Sequence, residues 1–176
     1  MVGLDAFFWI MVFFFAISGL MRGWAKEVLV TFAGIVGLFV LTVIQQFTPQ
    51  IIQALAVDSS GALFWFRSLL VSVLVFFGYQ TPNISRLAGS NRFARERLQD
   101  SLLGLFLGAV NGYMIVGTIW YFLNVANYPF PGVITPPAPD SAAAQLLQFL
   151  PPEWLGVPVI YFAVALAFAF VLVVFI

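Results

Sequence analysis

Long apolar runs separated by short polar links dominate the chain. Five runs are long enough to cross a bilayer, since a spanning helix needs about 20 mostly apolar residues. They cover residues 4–21, 28–44, 62–79, 102–123 and 157–176. The third run contains Arg67, whereas the last two contain no charged residue. The pattern predicts an all-α, polytopic membrane helix bundle with about five transmembrane helices.

The amino-acid composition agrees with a membrane location. Of the 176 residues, 62% are hydrophobic and 8% are charged, whereas a soluble domain has roughly 45–50% apolar and about 25% charged residues. Seven basic and seven acidic side chains could not cover a water-soluble fold of this size. We therefore expect the lipid bilayer to be the main partner of the protein surface.

The residue types that the chain lacks exclude several kinds of chemistry. It has neither histidine nor cysteine, so the usual ligands of zinc, haem and iron–sulfur clusters are missing. The net charge is zero, which gives no global field that favours nucleic acid. The sequence also shows no glycine-rich phosphate loop and no carboxylate pair within a predicted span. We expect no enzymatic activity, no cofactor, no metal site and no nucleic-acid partner.

The basic residues fall in alternate links between the predicted helices. The link after the second helix and the link after the fourth contain no lysine or arginine. The link after the first helix and the link after the third contain six, namely Arg22, Lys26, Arg86, Arg92, Arg95 and Arg97. By the positive-inside rule, this distribution predicts an external N-terminus and a cytoplasmic C-terminus.

Small residues indicate where helices pack. Gly104, Gly108 and Gly112 recur every fourth residue on one face of the fourth helix, which lets another helix approach closely. The second helix offers a weaker counterpart in Ala33, Gly34 and Gly37. We expect this stripe to make an intramolecular contact, with a homodimer as the alternative.

Asn111 is the only amide deep within a predicted span. Because an unpaired buried amide is costly, we expect it to bond across helices to a hydroxyl group. The candidate hydroxyl groups are those of Ser18, Thr31 and Ser72. Packing between helices and a role in transport are the two interpretations of this residue.

Charged residues near the predicted helix ends have structural and functional interpretations. Arg67 lies about one turn from the outer end of the third helix, where it can extend to the interface or pair with Asp58; an ionisable group at this depth is also a functional candidate. Arg22 and Glu27 could join the first two helices. We expect that pair to be exposed and to contribute only about 0–1 kcal/mol.

Residues 124–156 contain seven of the ten prolines, so most of this segment is predicted to be an irregular external loop. Within it, Asp140 and Ser141 can cap a short helix over residues 142–150, which Pro151 ends. Its apolar side chains suit the outer membrane surface, and a loose hairpin is the alternative. The predicted divisions are a four-helix core at 1–123, this loop at 124–156 and a fifth helix at 157–176.

Two segments carry a family resemblance when they are taken together. In the first, Asp5 opens the first helix, and the turn after it, from Gly19 to Glu27, has the pattern G-x-x-R-G-x-x-x-E with Arg22 as its arginine. The second begins at Asp100 and has the pattern D-x-x-L-G-x-x-x-G-x-x-x-G. The combination resembles the colicin V production protein (CvpA) family of bacterial inner-membrane proteins, over about residues 4–123.

The resemblance implies a small helical bundle that crosses the bacterial inner membrane several times. It also implies a link to the production or export of the toxin colicin V and, more loosely, to envelope maintenance, without a catalytic mechanism. Asn111 stands where family members often have a basic residue. The resemblance therefore transfers no role to that position.

Three functions follow from these observations. The first is a non-enzymatic inner-membrane protein that supports toxin or protein export or envelope homeostasis. The second is an accessory subunit of a respiratory or photosynthetic membrane complex, whose 21 phenylalanines would pack against helices, lipids or carotenoids. The third is a small channel or transporter that uses Arg67 and Asn111. The second hypothesis implies other membrane protein subunits as partners, and the sequence leaves homo-oligomerisation open.

Overall fold

A computed structural model describes residues 3–58, 60–80 and 94–175, and all regular structure in these ranges is helical. The helices are α1 (Leu4–Arg22), α2 (Trp24–Phe47), α3 (Pro49–Asp58), α4 (Ser60–Tyr79), α5 (Ala94–Val125), α6 (Ala142–Leu146), α7 (Pro151–Trp154) and α8 (Val159–Phe175). The helices α1, α2, α4 and α5 are each long and apolar enough to cross a membrane. A fifth candidate span consists of residues 142–154 and 159–173, which meet at a bend of 60°. The prediction of an all-α helix bundle is confirmed, and the predicted number of about five transmembrane helices compares with four candidate spans, or five if the bent pair forms one span.

The helix boundaries differ from the apolar runs where charged residues continue a helix. The second helix begins at Trp24 rather than at residue 28, because Gly23 alone forms the turn after α1. Its N–H donates to the carbonyl oxygen of Gly19 at 3.0 Å, which ends α1. The early start places Glu27 in the first turn of α2. The predicted second helix did not include this turn because Lys26 and Glu27 are charged, although their backbone is helical.

The bundle is built around two sets of helix contacts, one between α1 and α5 and the other between α2 and its neighbours. The α1 helix packs mainly on α5, while α2 packs on α4 and α5, and α8 packs on α2. Between α2 and α4, the buried side chains Val30 and Leu38 belong to the same apolar cluster as Val71 and Val75. Both sets of contacts involve α5, which therefore connects α1 with the other spanning helices.

The proline-rich segment contains more helix than one short stretch. The Ser141 hydroxyl caps α6 by accepting a hydrogen bond from the Ala144 N–H at 3.2 Å. A 3-10 turn follows at Leu147–Phe149, and Pro151 then opens α7 instead of ending the helical structure. Leu150, between the turn and α7, is completely buried. This part of the segment thus packs against the bundle, on α1 and α5.

Candidate functional site: a buried polar cluster

The turn between α1 and α2 is held by a carboxylate from α5. Gly23 has φ +83°, and a Cβ atom there would lie 2.9 Å from both carboxylate oxygens of Asp100. One of these oxygens accepts a hydrogen bond from the Trp24 N–H at 3.2 Å. A negative charge at this position also interacts favourably with the N-terminus of α2. Only glycine fits both the backbone angle and the close approach of Asp100.

Glu27 and Arg22 form an ion pair whose carboxylate is buried and whose guanidinium is 21% exposed. Arg22 Nη1 donates to Glu27 Oε1 at 2.7 Å, and Glu27 is 0% exposed. The expectation of an exposed pair is therefore wrong. Glu27 is buried because α2 begins early. The early start places Glu27 inside the bundle, in contact with α5, rather than in a solvated link. Removing one partner of such a buried pair is far more destabilising than breaking an exposed one.

Asn111 of α5 completes the hydrogen bonding of Glu27. Its Nδ2 donates to Glu27 Oε2 at 2.8 Å and to the Glu27 carbonyl oxygen at 2.9 Å. Its Oδ1 accepts from the hydroxyl of Thr31 at 2.7 Å, one of the three hydroxyl groups that the sequence suggested. Both amide protons and the amide oxygen thus have partners, although Asn111 is only 1% exposed.

The Arg22 guanidinium extends the contacts to α4. Its Nη2 donates to the carbonyl oxygen of Tyr79 at 3.3 Å, and its central carbon lies 4.3 Å from the centre of the Tyr79 ring. Hydrogen bonds, an ion pair and a cation–π contact therefore connect α1, α2, α4 and α5 at one end of the bundle. We call this set the buried polar cluster; it consists of Arg22, Glu27, Thr31, Tyr79 and Asn111.

The glycine stripe of α5 packs against α1, beside the buried polar cluster. A Cβ atom at Gly19 of α1 would overlap the carbonyl oxygen of Gly104 and would lie 2.8 Å from the Cα atom of Gly108. A Cβ atom at Gly112 would lie 2.9 Å from the Cα atom of Val12. The two backbones are in direct contact along this face, so the stripe makes an intramolecular helix contact.

The counterpart of the stripe is not the one that the sequence suggested. Gly34 and Gly37 of α2 face α4, where a Cβ atom would lie 4.0 Å from Val75 and 3.5 Å from Val71, respectively. The missed residue is Gly19. The spacing of Gly19 and Gly23, four residues apart at the end of the first run, was the signal that could have identified it.

The remaining charged candidates lie apart from the buried polar cluster. Asp5 is in the first turn of α1 and lines a cavity of about 420 Å³ with the proline-rich segment. Arg67 lines a second cavity, with Thr42 and Tyr121. The side chain of Asp58, its suggested partner, lies outside the described residues, as do Arg86 and Arg92. The structure thus brings Arg22, Glu27 and Asn111 together but leaves Asp5 and Arg67 elsewhere.

Comparison with known proteins identifies the family. A family model described as colicin V production protein matches residues 4–150. The chain belongs to the colicin V production protein family. The matched region includes the α1–α2 turn and α5, and it extends beyond residue 123, where the sequence resemblance was expected to end, into the proline-rich segment. No curated protein and no solved structure matches the chain. Family membership agrees with the multi-pass membrane architecture.

The geometry of the buried polar cluster suits a structural role. A general base must reach the proton that it abstracts, but both carboxylate oxygens of Glu27 accept hydrogen bonds from the protein, and the residue is shielded from solvent. Within the described residues, no group of three histidine, cysteine, aspartate or glutamate side chains could hold a metal ion. What the arrangement provides is a connection between four helices in which the Glu27 carboxylate is neutralised by Arg22 and both of its oxygens are hydrogen-bonded.

Proposed function

We propose that this chain is a non-enzymatic protein of the bacterial inner membrane that supports the export of a toxin or another protein, or the homeostasis of the envelope. The observation that carries the proposal is the use of the buried charges. Arg22 and Asn111 each bond to one carboxylate oxygen of Glu27, so the charged groups join helices to one another. The description of the family, which concerns colicin V production, supports the link to a toxin.

The export hypothesis is tested by deleting the gene and restoring it on a plasmid. We expect the deletion to lower colicin V secretion or the tolerance of membrane stress, and the wild-type gene to restore both. An unchanged secretion and an unchanged stress response in the deletion strain would count against this role.

The proposed orientation has an external N-terminus and a cytoplasmic C-terminus, with the buried polar cluster at the cytoplasmic end. It rests on the basic residues in alternate links. Because the chain contains no cysteine, single cysteines can be introduced at Val133, in the proline-rich segment, and at Gln99, before the apolar part of α5. Both side chains are exposed. A membrane-impermeant thiol reagent should label Val133→Cys and spare Gln99→Cys in spheroplasts; the reverse labelling would contradict the orientation.

A second candidate is an accessory subunit of a larger membrane complex. The aromatic face of α1 is the observation that favours it, since Trp9, Phe13 and Phe14 are all exposed. Such a face can contact lipid or another helix. Extraction in a mild detergent followed by native mass spectrometry discriminates the two. A partner at fixed stoichiometry would support a subunit role, and a lone monomer or homo-oligomer would contradict it.

The residues suggested for a channel do not lie together. Asn111 contacts Thr31, whereas Arg67 lines a cavity with Thr42. These two threonines are separated by about 16 Å along the axis of α2. Because the Asn111 amide is also fully bonded within the protein, the structure offers the channel hypothesis less support than the other two.

A further inference from the structure

The cavity beside Arg67 has the composition of a small binding site. Its volume is about 270 Å³, and it lies where the second half of α2, α4 and the end of α5 meet the break before α8. Four polar side chains line it, and most of the remaining lining is apolar. The polar ones are Thr42, Gln45, Arg67 and Tyr121, and the apolar ones include Leu38, Leu41 and Phe122.

The guanidinium of Arg67 is not neutralised by the described part of the protein. Its Nε atom is buried and has no hydrogen-bond acceptor there. The salt bridge found among the described residues joins Arg22 and Glu27, so Arg67 has none within them. Glu153 of α7 is exposed and forms no salt bridge with Arg67. A buried donor without an acceptor is costly, and the cost is larger for a charged group.

An oxyanion would satisfy this group. Arginine presents a planar fork of N–H donors that matches phosphate and carboxylate oxygens. Gln45 and Tyr121 can add neutral donors from the same cavity wall. The cavity is slightly smaller than the roughly 300–1,000 Å³ of common ligand pockets. Its volume therefore suits a headgroup-sized ligand, with the apolar wall beside it suited to the start of an acyl chain.

We propose that this cavity binds a phosphate-type oxyanion, carried by the headgroup of an anionic phospholipid or free in solution, with Arg67 as its anchor. The position of Arg67 suits both sources, because the residue lies about 10 Å along α4 from Ser60. This depth is within reach of the membrane interface. The proposal is independent of the export hypothesis, since it concerns only binding.

The test is native mass spectrometry of the full chain with added lipid. Wild-type protein should retain phosphatidylglycerol roughly 10-fold better than phosphatidylcholine with the same acyl chains, as a charge-assisted contact implies. Arg67→Gln should lose this preference, and Arg67→Lys, which keeps the charge but not the planar fork, should keep part of it. The matched control is Arg97→Gln, which removes an exposed arginine of α5 and should retain the preference of the wild type.

Two further measurements identify the source of the oxyanion and test whether Asp58 of the same chain neutralises Arg67 instead. Displacement of phosphatidylglycerol by inorganic phosphate at constant ionic strength would support a site for free oxyanions, whereas lack of displacement would support a site for the lipid headgroup. Equal phosphatidylglycerol retention by the wild type and Arg67→Gln would overturn the proposal. So would a gain of retention in Asp58→Asn, because it would show that Asp58 neutralises the guanidinium.

Discussion

Replacing Asn111 with leucine tests how strongly the buried polar cluster holds the bundle together. The substitution keeps a side chain of similar size but removes the amide that bridges α5 and α2. It leaves Glu27 Oε2 without the donor that now lies 2.8 Å away. It also removes the amide oxygen that accepts from the Thr31 hydroxyl at 2.7 Å, which leaves that hydroxyl only the more distant carbonyl oxygen of Glu27. Arg22 remains in place, so the Glu27 carboxylate keeps its countercharge.

The magnitude follows from the bonds that are lost. The bond to the Glu27 carboxylate involves a charged group, for which about 1.5–3 kcal/mol is typical. The bonds to the Glu27 carbonyl oxygen and from Thr31 are neutral interhelical bonds, which average about 0.6 kcal/mol each in a membrane protein. We therefore expect Asn111→Leu to lower the free energy of unfolding by about 3 kcal/mol.

The assay is equilibrium unfolding in mixed micelles, followed by circular dichroism as the fraction of denaturing detergent is raised. Thr31→Val and Thr42→Val form a matched pair of controls. Both hydroxyl groups reach the carbonyl oxygen four residues earlier, at 3.1 and 2.9 Å, but only Thr31 also contacts Asn111. Thr31→Val should therefore be the more destabilising of the two, by about 0.6 kcal/mol.

Two results would refute this reasoning. One is an Asn111→Leu protein whose free energy of unfolding lies within about 0.5 kcal/mol of the wild type, well below the expected loss. The other is a loss of equal size in an Asn111→Leu variant that already carries Glu27→Gln. The second result would show that the effect of Asn111 does not depend on the carboxylate, since coupled residues are not additive.

Three further predictions concern the same end of the bundle. Gly108→Ala should lower the free energy of unfolding by about 1–3 kcal/mol, because its Cβ atom would overlap the backbone of α1. Gly34→Ala should leave the free energy of unfolding unchanged, because the nearest atom to its Cβ lies 4.0 Å away; equal effects of the two substitutions would contradict the packing. Arg22→Gln should cost about 3–5 kcal/mol, because it leaves the Glu27 carboxylate buried without a countercharge, and adding Glu27→Gln should recover part of this loss; additive losses would exclude the coupling. Asp100→Ala should cost about 1 kcal/mol by removing the acceptor at the N-terminus of α2, measured by the same unfolding titration, and no change would contradict that contact.

The spanning helices could be predicted because each is encoded locally by a long apolar run. The start of α2 could not, because Lys26 and Glu27 have the composition of a link while their backbone continues the helix. The burial of Glu27 depends on Asn111, which is 84 positions away in sequence. A contact between residues so far apart cannot be predicted from the pattern of neighbouring residues. A carboxylate close to a helix end is predicted to be solvated unless its distant partner is known.

The glycine stripe shows the same limit in a milder form. Its spacing on α5 predicts a close helix contact, but the identity of the other helix depends on how the bundle folds. The weaker glycine pair of α2 was the expected counterpart, whereas Gly19 of α1 makes the contact. The proline-rich segment was predicted to be mostly irregular because of its proline content. Neither hydropathy nor proline content reveals that Leu150 and Pro151 are buried against the bundle.

The most direct test of the central claim is colicin V secretion by the deletion strain carrying Arg22→Gln together with Glu27→Gln. This double variant removes both charges of the ion pair but keeps side chains that can form hydrogen bonds. If the charges only join the helices, secretion normalised to the amount of folded protein should equal that of the wild type. The account would be contradicted if the double variant folds to wild-type abundance but does not restore secretion. The charges would then have a role in function beyond holding the bundle together.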